Sequence, residues 1–315
     1  MAFICKTFNI LKEDFAESCH VQLILINMIL VTGVTGHLGN AIIRFLSGKI
    51  PEGEITGLAR NNSGSEPLTS RGIQIRTGDY DDYQSLVSAF SGVDKLFFIS
   101  GNDIVKRVQQ HLNVIRAAKE ARVRHIIYTS FQRRTDDGSS PVSALTKIHV
   151  DTENNLISSG MTYTILRHAL YMEGIPAFIG ENVLETGIIF LPAGKGRVSC
   201  ATRTDMAESA SNILSSSGHE NRIYEIASET SYSFSEMAQF LSVLSGKKIT
   251  YIDAEPDTFR KQLIKAGVPE SSVDFTSGFC KAIKQGEFDI PDPMLENLLG
   301  RKPVHMKDFL RSYYL

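Results

Sequence analysis

The most specific chemistry in this sequence lies in three glycines, Gly33-x-x-Gly36-x-x-Gly39, within the stretch Thr32 to Gly39. An apolar run, Met28-Ile29-Leu30-Val31, precedes them, and Ala41, Ile42, Phe45 and Leu46 follow at helical spacing. Between a strand and a helix, such a turn can receive phosphate. Gly33 permits the tight turn, Gly36 lets a ligand approach the backbone, and Gly39 lets helix and strand pack with no side chain between them. A pyrophosphate would rest on the free amides and the positive end of the helix.

Other candidate residues fall where strands end. Ile55 to Arg60 reads as a second strand whose last residue is informative. An acid there binds the ribose hydroxyls of NAD, whereas arginine suits a 2′-phosphate, so Arg60 points to NADP unless it is merely a surface arginine. A third strand, Gly72 to Arg76, leads to Asp79 and Tyr80, which could border an adenine; a helix cap at Asp81 or Asp82 is the plainer reading. The buried run Lys95 to Gly101 ends in the small residues Ser100 and Gly101, which leave room for a ligand.

Further on, His125 to Ser130 reads as a fifth strand, followed by a helix carrying Lys147, His149 and Glu153. The strand Tyr163 to Leu166 then delivers Arg167 to Tyr171 to the carboxyl edge, where the reactive end of a cofactor would lie. His149 could orient a ribose or donate a proton, or it could be a helix histidine bonded to nearby backbone. Tyr171 could stack on an aromatic acceptor or pack in the core. His168 is similarly ambiguous, and His111 reads as structural.

The elements that must hold these residues alternate strand and helix, which predicts a doubly wound parallel α/β sheet. The boundaries expected are an extension at residues 1–27, a nucleotide-binding domain at 28–170, and a smaller, mostly helical lobe at 171–315 interleaved with the sheet. Met28 stands where such a fold begins and is the expected translation start. Arg133 to Pro141 is either a mobile flap or a solvated connection, and the pair Arg133-Arg134 reads as solvated.

With 315 residues, 42% hydrophobic and 22% charged, the chain can bury a large core. Its formal net charge of −2 offers no attraction for nucleic acid or an anionic membrane. No apolar run reaches spanning length. The scattered Cys5, Cys19, Cys200 and Cys280 suit neither a metal nor a disulfide framework, and they suggest reduced thiols in a cytoplasmic protein.

The glycine motif, Arg60, Gly78-Asp79-Tyr80, His125 to Ser130 and Leu166 to Tyr171 together resemble the NmrA-like, atypical short-chain dehydrogenase/reductases, in particular the branch of quinone and triphenylmethane reductases. The likeness extends through Ala201-Thr202-Arg203, Gly218-His219-Glu220 and Ser245 to Lys248, covering residues 28–315. It implies a Rossmann domain with a small C-terminal lobe. It places the pyrophosphate on Gly33, Val34, Thr35, Gly36, His37 and Leu38, with the 2′-phosphate on Arg60. Ser100 and Gly101 would line the ribose, with Arg167, His168, Ala169, Leu170 and Tyr171 near the nicotinamide.

One departure narrows the reaction. Typical members carry Tyr-x-x-x-Lys, in which lysine lowers the tyrosine pKa so that it can protonate an alkoxide. Here the corresponding helix reads Ser143-Ala144-Leu145-Thr146-Lys147-Ile148-His149, with His149 in the lysine register. A quinone tolerates this loss, because hydride addition leaves a resonance-stabilised phenolate. The expectation is direct hydride transfer from NADPH, with NADH as the alternative donor, to a quinone-like small molecule, with no flavin and no metal; a homodimer is a further expectation. A non-catalytic NADP sensor is the competing expectation, and a nucleotide-sugar epimerase stands lower because it also needs the tyrosine.

Overall fold

The run Ile29 to Thr32 is buried along its whole length, as a strand covered on both faces must be, and the sheet is assembled around it. The computed structural model describes residues 27–315 apart from Asn62, so the expected extension, Asn27 excepted, lies outside the described residues, as do Cys5 and Cys19.

Strand and helix alternate through β1 (Ile29–Thr32), α1 (His37–Leu46), β2 (Ile55–Ala59), α2 (Glu66–Thr69), β3 (Gln74–Thr77), α3 (Tyr83–Phe90), β4 (Lys95–Phe98), α4 (Arg107–Glu120), β5 (His125–Phe131), α5 (Ser143–Ser158) and β6 (Thr162–His168). Then come β7 (Leu170–Tyr171), α6 (Pro176–Ile179), α7 (Val183–Thr186), β8 (Ile188–Leu191), β9 (Arg197–Ala201), α8 (Arg203–Leu214), β10 (Arg222–Ile226) and β11 (Ser231–Ser233). The chain closes with α9 (Phe234–Ser245), β12 (Thr250–Asp253), α10 (Pro256–Lys265), α11 (Glu270–Lys284), α12 (Met294–Leu299) and α13 (Met306–Tyr314).

Seven strands form one sheet in the order β3-β2-β1-β4-β5-β6-β10, every neighbouring pair parallel. The order reverses between β1 and β4, which opens a crevice beyond their carboxyl ends. This is the Rossmann arrangement expected, with β10 added from the second half of the chain. Alternate residues supply the two faces: Ile29, Val31, Phe97 and Ile127 pack under α1 and α8, while Leu30, Leu96, Phe98, Ile126 and Tyr128 pack under α3 and α4.

The C-terminal region is largely helical and has its own core around Met237, Leu241, Phe279, Ile283 and Leu310. It also holds a three-stranded sheet, β11-β9-β7, and a parallel pair, β12-β8. Ser233 and Glu236 form the capping box that starts α9. Among the described residues no helix is long and apolar enough to cross a membrane.

Two expectations need correction. The third strand begins at Gln74 rather than Gly72, because Gly72 sits at φ +82° and still turns the chain. Arg133 is not solvated: its side chain is 2% exposed and grips Glu153 of α5 with two bonds of 2.8 Å. Burying a guanidinium demands such pairing, which ties the start of the 133–141 loop to the domain.

Candidate functional site

The glycine turn takes its shape from contacts that exclude side chains. Gly33 is at φ +61°, and its carbonyl accepts from the Gly36 amide at 3.0 Å. A Cβ on Gly39 would lie 2.4 Å from that same carbonyl, so only glycine lets α1 close against the turn. Gly36 is the N-cap of α1, and no side chain caps the helix. The first-turn amides of α1 thus lack the usual partner, and the turn carries no acidic residue to compete with an incoming anion.

This end of α1 opens into a cavity of about 670 Å³ at the topological switch point. Gly33, Thr35, Gly36, His37, Leu38 and Gly39 form one wall, Leu58 to Arg60 and Gly78 to Asp81 a second, and Ile99 to Asp103 a third. Arg60, just past β2, is exposed at its edge. The residues fit a dinucleotide: an uncapped helix start for pyrophosphate, with the exposed Arg60 two strand positions from β4.

Tyr80 pins the crevice. Its Oη lies 2.6 Å from Thr32 Oγ1 at the end of β1 and 2.8 Å from the Ile99 carbonyl past β4. Asp82, not Asp81, caps α3, accepting from the amides of Gln84 and Ser85 at 3.1 and 3.2 Å. This leaves Asp79 and Asp81 on the cavity wall. Ser100 is held by its amide to Thr129 Oγ1 (2.9 Å), and the Gly101 amide donates to His111 Nε2 (3.0 Å). An accepting Nε2 requires a neutral imidazole, and burial drives the His111 pKa down to about 3. His111 is therefore structural, as the sequence suggests.

The far end holds Tyr171 and Arg203, a residue that the sequence marked only through the extent of the family likeness and not as part of a site. The Arg203 guanidinium lies over the Tyr171 ring, 4.3 Å from its centroid. Thr202 caps α8 by accepting from the Asp205 amide at 3.1 Å, which fixes Arg203 as its first helical residue. The Thr-x-x-Asp pattern could have revealed this helix start, but not that it faces Tyr171. Lys106 and Gln110 also line the cavity without having been anticipated.

Several expected site residues lie elsewhere. Val34 is fully buried, and Ala169 is buried with its amide bonded to the Ile226 carbonyl at 3.0 Å. Arg167 is drawn to Glu153 at 2.7 Å and Glu225 at 3.3 Å. His168 is 2% exposed and its Nε2 has no partner. His149 is 5% exposed, with Nδ1 2.9 Å from Tyr128 Oη and its ring tilted against Phe131. Burial, aided by the Arg107 charge, lowers the His149 pKa to about 3, so the ring is neutral, not an imidazolium acid, at neutral pH. Neither Arg167, His168 nor His149 lines the cavity.

The model of the NmrA-like family matches residues 26–298. The chain belongs to the NmrA-like family. Quinone oxidoreductase 2 of Escherichia coli K12 is 36% identical over 274 residues, spanning 87% of this chain and 94% of that protein. The crystal structure of Citrobacter sp. triphenylmethane reductase complexed with NADP(H) superposes with a TM-score of 0.84 at 35% identity, covering 91% of this chain and 99% of that one. An NADPH complex of the Escherichia coli quinone oxidoreductase gives 0.83 at 33% identity, covering 91% and 100%. The two solved structures are complexes with NADP(H) and NADPH, and the match covers 99% or more of each.

Proposed function

We propose that this protein is an NAD(P)H-dependent oxidoreductase that passes a hydride from NADPH directly to a quinone or similarly conjugated electrophile. The observation that carries the reading is one continuous cavity. It runs from Arg60, past an uncapped glycine turn, to Tyr171 and Arg203, while α5 offers no tyrosine to its surface.

The names of the relatives support the same chemistry, since one reduces quinones and another a dye with an extended conjugated system. When bound, NADPH supplies the hydride. This chain's residues do the rest by position: the turn and α1 hold the diphosphate, Arg60 the 2′-phosphate, Asp79 and Tyr80 flank the adenosine, and Ser100 and Gly101 line the ribose. With His149 neutral and buried, solvent supplies the final proton to the phenolate.

Purified protein mixed with NADPH and a panel of 1,4-quinones, without added flavin, should show loss of nicotinamide absorbance matched by hydroquinone formation. Tight cofactor binding without turnover on any acceptor would overturn the reading in favour of a sensor. Arg60→Ala should weaken NADPH roughly 10- to 100-fold, the worth of a charge-assisted hydrogen bond, and leave NADH unchanged. Surviving NADPH preference would remove Arg60 from the 2′-phosphate.

A further inference from the structure

Two cations of the cavity, Arg60 and Arg203, stand on different elements. Arg60 directly follows β2, whereas Arg203 opens α8 and lies over Tyr171 of β7, the short strand that continues from β6. Lys106, a third cation, is paired with Asp81 at 3.3 Å. Arg203 has only a long contact of 3.6 Å from its guanidinium to Glu173, whose carboxylate is already accepting from the Arg203 amide at 2.9 and 3.2 Å. Its side chain is 30% exposed, with the guanidinium over the Tyr171 ring.

We propose that Arg203, backed by Tyr171, is the acceptor-binding cation of the cavity, and that it recognises the flat anion into which a quinone-class acceptor is converted. The proposal rests on the reductase reading above. Tyr171 is then a positioning residue: with Arg203 over its ring, a planar acceptor stacks on the guanidinium and not on the tyrosine.

The electron count explains why a cation belongs there. Hydride brings two electrons and one hydrogen nucleus to the neutral quinone, forming one new bond to hydrogen and leaving a single negative charge delocalised over the ring and its oxygens. A proton from water later converts that phenolate to the hydroquinone. A neutral quinone gains little from a nearby guanidinium, whereas the anion gains both charge attraction and stacking. Arg203 thus favours the charged late state over the neutral ground state, which is the condition for accelerating the step rather than merely tightening binding.

A binding experiment separates this role from turnover. Protein saturated with NADP⁺ is titrated calorimetrically with 2-hydroxy-1,4-naphthoquinone, ionised at neutral pH, and with neutral 1,4-naphthoquinone. Arg203→Met should weaken the anion roughly tenfold or more, as a lost cation and stacking partner would, with the neutral quinone and NADPH changed less than threefold. Arg203→Lys should recover part of the anion affinity. Tyr171→Ala should lose much of it, while Tyr171→Phe keeps it because the ring remains. Melting curves check that each variant is folded.

Unchanged anion affinity in folded Arg203→Met overturns the proposal, as does a loss of NADPH affinity exceeding that for the anion, which would assign Arg203 to the cofactor. If the wild-type protein reduces no quinone yet the anion preference vanishes with Arg203, the reaction assignment fails and the anion site stands.

Discussion

Two groups of charged and polar residues lie near the carboxyl ends of the strands, and they are built on opposite principles. Around the cavity, charges are partly or fully exposed and loosely held: Arg60 sits at the edge, Arg203 is 30% exposed with a 3.6 Å partner, and α1 begins without a cap. Beside β5 and β6, Glu153 accepts from Arg133, Arg167 and Ser130, and Arg167 also reaches Glu225. Burial would raise the Glu153 carboxyl, yet these hydrogen bonds outweigh it and bring the pKa to about 2. A ligand needs groups whose interactions are incomplete, whereas a buried ion must have its own completed. Arg133 and Arg167 belong to the second group, and His149 is buried apart from both groups, against Tyr128 and Phe131.

Glu153 is the hub of the buried group. Glu153→Ala removes the acceptor that Arg133 and Arg167 share and leaves them only Asp136 and Glu225, so a loss of up to about 3–5 kcal/mol is expected in urea unfolding at neutral pH. A loss below about 1 kcal/mol would show that the cluster relaxes into water and is not structural.

Gly39→Ala probes the cavity side. Its Cβ would meet backbone at 2.4 Å, so the turn must open; overpacking of this kind costs about 1–3 kcal/mol. NADPH affinity should fall by at least tenfold, more than stability alone requires, as followed by fluorescence titration. Intact binding would show that the turn does not hold the diphosphate.

Acid should sharpen the contrast. His111, His149 and His168 are each held near pKa 3 by burial, well below 6.5. The unfolded chain then takes up protons that the folded one refuses, so stability falls as pH drops below 6.5, by roughly 1.4 kcal/mol per histidine for each pH unit. The contribution of Glu153 is complete above 4.5 and is lost only on approaching 2. Unfolding at pH 7, 6 and 5 should show this early loss, and His149→Gln should remove one histidine's share of the slope while leaving kcat within about threefold. A tenfold fall in kcat in the folded variant would return His149 to the reaction.

The smallest effect is expected at Lys106. Both partners of the Lys106 and Asp81 pair are about half exposed, so Lys106→Ala should shift stability by less than about 0.5 kcal/mol. A larger shift, measured at low salt, would mean that the pair braces the cavity wall.

The parts legible in the sequence are those that neighbours along the chain specify. The turn from Gly33 to Gly39, the strand-end Arg60, and the pair Ser100 and Gly101 all reach the cavity because each directly follows a strand of the sheet. His149 could not be placed by the same means, since helical register fixes its face but not what covers that face. Arg133 misled because a polar loop composition does not announce that one of its arginines meets a glutamate 20 positions later.

Legible from the chain alone are the strand, turn and helix of a form that can receive phosphate, the cation after β2, and the missing tyrosine in α5. Glycine conformation and residue type act locally and need no partner. The tertiary structure alone decided that Arg203 faces Tyr171 across 32 residues of chain, and that Glu153 consumes Arg133 and Arg167. Charge becomes function or scaffold according to how completely it is neutralised, and that depends on groups brought together only when the sheet and the lobe have folded.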